Sequence, residues 1–357
     1  MCRLFESGDP LTQATLPSTV FPFSKGRQCL CDSTRSKVAT VLRGLVLALI
    51  LASTSYAGAA DTVVVGTVGS ASANLWPVFI GLNKGMFAEK GVKIDLVYVQ
   101  SSAAVVAQLT AGSLDVTMST GLVDPIRAVE KGSPIAIVRF ESQSPPYALV
   151  ARPNIKSLRD LKGKVISLGG AKDITRIYVE RMLAPSGIKP GEFDMVFAGA
   201  TAARAAALQS GAVDAAILLP PSNFQAVANG FNELGLAADF TPELPFSGTV
   251  VNVPWANAHK AILLRLLDAH AKAVAWFEDD RNRADAVAML VKASGLKTDE
   301  VEKAYDFYRK GKFFEPTGRV SIARLKSLME ALESLGDLPH GMDVNRLLLP
   351  GVTAVSD

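Results

Sequence analysis

Five short turns hold most of the side chains suited to contact a small molecule: GSASANLW, QSSAA, STGLVD, GGAKDIT and AGATAA. Each follows an apolar or β-branched run and precedes a helix-forming stretch, so each lies between the carboxyl end of a strand and the amino end of a helix. The first N–H groups of a helix lack intrahelical partners and carry partial positive charge, which suits anions and carbonyl or sulfonate oxygens. The candidate contacts are Ser70, Ser72 and Asn74 in the first turn, Ser101 and Ser102 in the second, and Ser119, Thr120 and Gly121 in the third. Ala171, Lys172, Asp173 and Thr175 come from the fourth turn, Thr201 from the fifth, and Pro220 from the end of DAAILLP. Trp76, Phe140, Tyr147 and Phe246 stand near the same ends and could wall a pocket. The hydroxyls have a second use as helix caps: Asn74, Ser101 or Ser102, Asp173 and Thr201 are all placed for it. The fourth turn departs from the anion rule, because Asp173 fills its helix terminus with a carboxylate. Either Lys172 offsets that charge, or Asp173 faces a ligand amine or hydroxyl.

The search for catalytic chemistry yields nothing comparable. The three cysteines are Cys2, Cys29 and Cys31, so no thiol follows residue 31. There is no Gly-x-Ser-x-Gly elbow and no His-Glu-x-x-His pair. His259, His270 and His340 lie in the last third of the chain, away from the five turns. Gly66 and Gly69 lack the third glycine of a dinucleotide fingerprint. No metal, no cofactor and no catalytic residue is assigned, and the expectation is a binding protein rather than an enzyme.

The elements that must position these turns alternate strand and helix from TVVVGTVG to DAAILLP, the order of an open α/β sheet. Ligands in such sheets bind beyond the carboxyl ends of the strands. Two stretches echo each other, LTAGSLDV at 109–116 and LQSGAVDA at 208–215, with Leu109, Gly112 and Asp115 answered by Leu208, Gly211 and Asp214. Each reads as a helix stopped by glycine and feeding a buried strand. The pair predicts two similarly built lobes. After GTVVNV the texture turns helical, with ANAHKAILLRLLDAHAKAVAWFED, RADAVAMLVKASG, TDEVEKAYDFYRKG and VSIARLKSLMEALESLG read as a packing layer.

The chain of 357 residues, 49% hydrophobic and 20% charged, is long enough for two cores. LVLALILA is too short for a membrane span. With Lys37 and Arg43 before it and STSYAGAA after it, this run reads as a signal peptide cleaved near Ala59 or Ala60. The long polar segment before it suggests that the start is over-extended. No cysteine follows the apolar run, which argues against a lipid anchor. Residues 1–60 hold six of the 37 Lys/Arg and three of the 34 Asp/Glu, so the remainder is electrically balanced. Bulk charge then gives no reason to expect nucleic-acid binding.

The stretch GLNKGMFAEKGVKI, with Gly85, Phe87 and Gly91, resembles the solute-binding proteins of ABC importers, of the nitrate/sulfonate/taurine type that also includes pyrimidine-precursor binders. The two echoes and LKGKVISLGGAKDITRIYVERMLAPSGI are similar to that family's patterns from about residue 61 to 248. The departure is AKDIT, where relatives tend to have Ser or Thr. The resemblance implies a bilobal type II periplasmic-binding fold, two open α/β lobes joined by two crossing strands near Tyr147–Arg152 and Ser247–Val253. The leader would end at residue 60, lobe one would comprise 61–149 and 248–357, and lobe two 150–247. It further implies a periplasmic monomer that closes on a small organic or oxyanionic solute and delivers it to a membrane permease. A sensor subunit would need the same cleft. Relatives that make a thiamine pyrimidine would carry a cysteine-rich motif and a reactive histidine, which this sequence does not show.

Overall fold

Every β-branched run named above becomes a strand, and the strands divide between two sheets. The computed structural model describes residues 61–69 and 72–357, so the leader and the candidate Ser70 lie outside the described residues. The main strands are β1 (Asp61–Val68), β2 (Val92–Val99), β3 (Val116–Gly121), β4 (Ile135–Ser142), β5 (Ala148–Ala151), β6 (Val165–Leu168), β7 (Asp194–Phe197), β8 (Ala215–Leu218), β9 (Asn232–Leu236) and β10 (Ser247–Asn252). One sheet has the order β2-β1-β3-β10-β4 and the other β7-β6-β8-β5-β9. Each contains three parallel strands, then an antiparallel strand, β10 or β5, then an edge strand. The chain leaves the first sheet after Ser142 and returns to it at Ser247, so the crossings lie just ahead of β5 and β10. The described residues belong to one compact unit.

The sequence echo has a shared physical cause. Leu109 and Leu208 are buried under their turns, and Gly112 and Gly211 take φ values of 75° and 78°. Asp115 Oδ2 accepts from Val64 N at 2.8 Å, and Asp214 Oδ2 accepts from Val165 N at 3.0 Å. The carboxylate thus ties the turn before β3 to β1, and in the second sheet the turn before β8 to β6. A side-chain acceptor is needed at this position because a strand N–H would otherwise be left without a partner, and aspartate supplies it in both lobes.

Five helices bring their amino ends to the strand ends: α1 (Trp76–Asn83), α2 (Ser102–Thr110), α3 (Val123–Glu130), α4 (Ile174–Leu183) and α5 (Thr201–Gln209). Ser101 caps α2 by accepting from Ala104 N, and Asp173 caps α4 by accepting from Thr175 N. Two expected caps fail. Asn74 sits inside a 3-10 turn, Ala73–Leu75, and sends its amide to Ser119 O. Ala200 is the residue before α5, and Thr201 opens the helix without capping it.

The C-terminal layer is less simple than its sequence pattern. Its first long helix breaks at His259 into α6 (Val253–Ala258) and α7 (Lys260–Phe277), followed by α8 (Arg283–Ser294), α9 (Thr298–Gly311) and α10 (Ile322–Ser334). Phe277 and Tyr308 pack on Trp76, with ring centroids 6.3 and 6.0 Å away, and secure the first lobe. α9 also reaches the second lobe, where Phe307 meets Phe224 edge-on at 5.6 Å. In α10, Arg324 Nη1 donates to Gln143 O and Pro242 O, each at 2.7 Å. One guanidinium therefore holds both crossing segments, a role that helical periodicity does not reveal.

Candidate functional site

The strand ends of both sheets enclose a cavity of about 50 Å³. One water needs about 10–15 Å³ on this scale, so the space suits a ligand of a few non-hydrogen groups. Its first-lobe wall includes Ser72, Asn74, Ser101, Ser102, Ser119 and Gly121, and its second-lobe wall Asp173 and Thr201. Tyr147 and Phe246, one from each crossing segment, form the back and meet edge-on at 5.1 Å. Nine of the sixteen residues expected from sequence thus converge on one space, as does the expected wall Phe246.

The others are placed elsewhere or lie outside the described residues. Trp76 is fully buried in the helical core, and Phe140, also expected as a wall, belongs to the core. Thr120 is buried against the hydroxyl of Thr117. Thr175 lies behind the cavity, accepting from Gly169 N at 2.9 Å and donating to Asp173 Oδ1 at 2.6 Å. Ala171 is exposed. Lys172 directs its ammonium to Asp337 Oδ1, 3.4 Å away, and does not offset Asp173. Pro220 serves through its carbonyl, which accepts from Ala73 N at 3.1 Å and joins the two lobes.

Three wall residues carry chemistry that sequence reading missed. Arg204, in the second turn of α5, is only 3% exposed. Its Nη1 donates to Gly199 O at 2.7 Å and its Nη2 to Thr201 Oγ1 at 2.8 Å, while Nε has no partner. Among the described residues no carboxylate lies within ion-pair distance of it. The guanidinium stands over the Tyr147 ring at 5.6 Å. Burial pushes the Tyr147 phenol up to about 12 against the opposing pull of Arg204. Gly169 makes room for both charges: a Cβ there would lie 2.6 Å from Asp173 Oδ1 and 2.9 Å from Arg204 Nη1. Gly199, at φ 68°, brings the lobes together, since a Cβ there would lie 2.7 Å from Gln100 O. A lone arginine in the alanine-rich ATAARAAALQSG was the available signal.

Behind the first-lobe wall lies Glu141. Ser119, at φ 55°, donates its N–H to Glu141 Oε2 at 2.8 Å, and its Oγ lies 2.6 Å from the same oxygen. Thr249 Oγ1 donates to Oε1. Burial raises the Glu141 carboxyl above its ordinary range, opposed by the Ser119 and Thr249 hydrogen bonds and by Arg139. The buried Glu141 carboxyl thus holds Ser119 in a left-handed conformation that is uncommon for a residue other than glycine. His270 is buried with both ring nitrogens unpartnered, and His259 and His340 are exposed; none lines the cavity. Among the described residues no group of three His, Cys, Asp or Glu could hold a metal ion.

Comparison with known proteins places this geometry in context. Over 260 residues, 62% of this chain, the sequence is 25% identical to the nitrate/nitrite binding protein NrtA of Synechococcus elongatus. The matched stretch spans 56% of that relative's length. Among solved structures, the alkanesulfonate-binding protein SsuA from Xanthomonas axonopodis pv. citri, bound to MOPS, matches with a TM-score of 0.67 and 18% identity, covering 83% of this chain and 99% of that one. The desulfurization enzyme DszB matches with a TM-score of 0.61 and 14% identity, covering 82% and 97%, so the architecture is shared by a binder and an enzyme. These likenesses show the periplasmic-binding-protein fold. The strand-end cavity, the paired helix–strand joints and the match of residues 72–284 to the family's model together show that the chain belongs to the NMT1/THI5-like family.

Proposed function

We propose that the chain is an exported, monomeric solute-binding protein that captures a small anionic solute between its lobes and delivers it to the permease of an ABC importer in the periplasm. The observation that carries this reading is Arg204. A buried guanidinium with no carboxylate partner costs free energy unless something of opposite charge meets it. Here it lines a cavity between two lobes, beside the first turn of a helix. Ser101, Ser102 and Asn74 stand on the opposing lobe as neutral partners. A solute touching both walls binds the closed arrangement more tightly than the open one and so shifts the lobes toward closure. The signal-peptide pattern before Asp61 supports export, and the nitrate/nitrite binding relative supports the anion class.

The test is a thermal-shift screen of residues 61–357, refolded to remove carried-over solute, against nitrate, carboxylates, sulfonates, amino acids, pyrimidines and aromatic acids. A ligand at one hundred times its Kd stabilises by about 2.7 kcal/mol, which raises Tm by roughly 4 °C in a protein of this size. A saturable shift with an anionic class, lost in Arg204→Met while that variant melts cooperatively, is the expected result. No shift with any anion, or a shift that Arg204→Met leaves intact, overturns the reading.

A further inference from the structure

We infer that Glu141 is held as a neutral carboxylic acid and that its proton positions the first-lobe wall of the cavity through Ser119 and Asn74. The inference goes beyond the solute-binding reading, which supplies only the use of that wall. It starts from a count of hydrogens. Ser119 Oγ lies 2.6 Å from Glu141 Oε2 and 2.9 Å from Asn74 O, and Thr249 Oγ1 lies within hydrogen-bond distance of Glu141 Oε1. Each of these three oxygen–oxygen contacts needs a hydrogen between its partners. The Ser119 and Thr249 hydroxyls own one hydrogen each, whereas a backbone carbonyl and an ionised carboxylate own none. The third hydrogen must therefore belong to the carboxyl.

One arrangement satisfies all three contacts. Thr249 Oγ1 donates to Oε1, the acid group at Oε2 donates to Ser119 Oγ, and Ser119 Oγ donates to Asn74 O. Asn74 Nδ2 returns a hydrogen bond to Ser119 O at 3.2 Å, and Ser119 N donates to Oε2 at 2.8 Å, so both wall residues are tied to the acid. If Glu141 is ionised, the Ser119 hydroxyl must turn to Oε2. A distance of 2.6 Å suits a charged acceptor too, but the Asn74 carbonyl then faces an oxygen lone pair across 2.9 Å. That contact has to open, and Ser119 and Asn74 with it.

The surroundings favour the neutral form. Arg139, two residues earlier on β4, pulls toward ionisation, yet its Nε and Nη2 have no partner, and no ion pair joins it to Glu141 among the described residues. Glu315, on the segment after α9, donates its N–H to Glu141 O at 2.9 Å and gives Arg139 a second carboxylate to act on it. His270, on α7, adds no charge, because burial and then Arg139 hold its imidazole well below its ordinary range. Burial is the largest influence on Glu141 and raises its carboxyl above the ordinary range. Ser119 and Asn74 line the cavity and Glu141 does not. Glu141 is thus a positioning residue, and the surface offered to a solute depends on its proton.

The experiment needs no solute. Residues 61–357 are labelled with 15N at serine and asparagine, and NMR spectra across pH are paired with infrared difference spectra of the wild type against Glu141→Gln. Ser119 is assigned through Ser119→Gly, since glycine accepts its φ of 55°, and the Asn74 side-chain amide through Asn74→Ala. A carboxylic-acid carbonyl band, absent in Glu141→Gln, is expected at pH values where an ordinary glutamate is ionised. The Ser119 and Asn74 amides should shift together as that band is lost, with a midpoint above the ordinary value of about 4.3. In Ser119→Gly the band should remain while Asn74 no longer follows it, which a merely space-filling carboxyl would not produce. A midpoint at or below the ordinary value, or no acid band above it, overturns the inference. So does an Asn74 amide that ignores the band in the wild type or still follows it in Ser119→Gly. If Glu141→Gln fails to fold, the wild-type and Ser119→Gly titrations decide. None of these failures touches the solute-binding reading, which stands or falls on the thermal screen.

Discussion

Gly199 separates the cost of a left-handed residue from the cost of blocking lobe contact, and Gly199→Ala tests whether the cavity depends on closure. Gly199 has φ 68° and belongs to the second lobe, through its N–H to Gly169 O. A Cβ there would lie 2.7 Å from Gln100 O, a backbone atom of the first lobe, where ordinary contact begins at 3.4 Å. The lobes must part by the difference, about 0.7 Å, or strain; overpacking of this kind costs about 1–3 kcal/mol. That penalty exists only when the lobes touch. The left-handed conformation costs alanine a further 1–2 kcal/mol or so whether they touch or not. Gly187 supplies the control, with φ 78° and nothing within 4 Å of its would-be Cβ. Both substitutions should lower Tm by a similar amount. Only Gly199→Ala should reduce the closed population, by about tenfold if the clash costs 1.4 kcal/mol, and weaken solute binding in proportion. Residues 61–357 contain no cysteine, so labels at Lys93→Cys and Lys189→Cys, exposed sites on opposite lobes, can report the lobe distance with and without a solute found in the screen. If Gly199→Ala matches Gly187→Ala in distance distribution and affinity, the reasoning is wrong.

Other perturbations probe the frame. Asp115→Ala and Asp214→Ala each strip the acceptor from a strand N–H and should each cost about 1–3 kcal/mol in denaturant unfolding, whereas the Asn variants, which keep an oxygen, should cost less. Arg324→Met frees two crossing segments at once, so the label distance distribution should broaden; an unchanged width would show that the crossings are fixed without it. Glu141 has a raised folded-state pKa, so the native state holds its proton more tightly than the unfolded chain does. Its contribution to stability therefore falls as pH rises from the ordinary glutamate range, about 4.3, through the folded value, and Glu141→Gln should flatten that slope. Asp337 has the opposite sign: although burial works against it, Arg127 and Lys172 hold its carboxyl below the ordinary range. Its stabilisation is present above about pH 3.9 and is lost as pH falls through the depressed value, a loss that Asp337→Asn should remove from the acid limb of the unfolding curve.

The parts of this protein that were legible in sequence are those fixed by local chemistry. Ser101 and Asp173 declare themselves as caps because a hydroxyl or carboxylate before a helix has one geometric use. The Leu-x-x-Gly-x-x-Asp echo announces two matched joints because glycine and aspartate are each demanded by one backbone feature. Most of the cavity wall followed, since strand ends in α/β sheets point the same way. What stayed hidden depends on contacts between distant segments. Asn74 was read as a cap, but Ser119 O, 45 residues away, competes for its amide and wins. Trp76 stands one turn from the cavity, yet its ring turns to the helices of the C-terminal layer. The long helix after GTVVNV divides at His259, where periodicity gave no stop signal. Strand β9, NELGL, with a glycine at φ 154°, contains none of the β-branched residues found in each of the others.

Arg204 shows the reason most directly. In an alanine-rich helix an arginine has good intrinsic propensity and ordinarily extends into solvent, so its type and position carry no mark of burial. It joins the cavity wall only because Gly169 and Gly199 let two strand ends close over it and Tyr147, returning from the other lobe, lies beneath the guanidinium. Each of these three residues is unremarkable alone. The burial of the Arg204 charge is a property of their assembly, whereas the carboxylate beside it is visible in sequence because Asp173 also serves as a cap. A site divided in this way leaves one half of its electrostatics readable along the chain and the other readable only across the lobes.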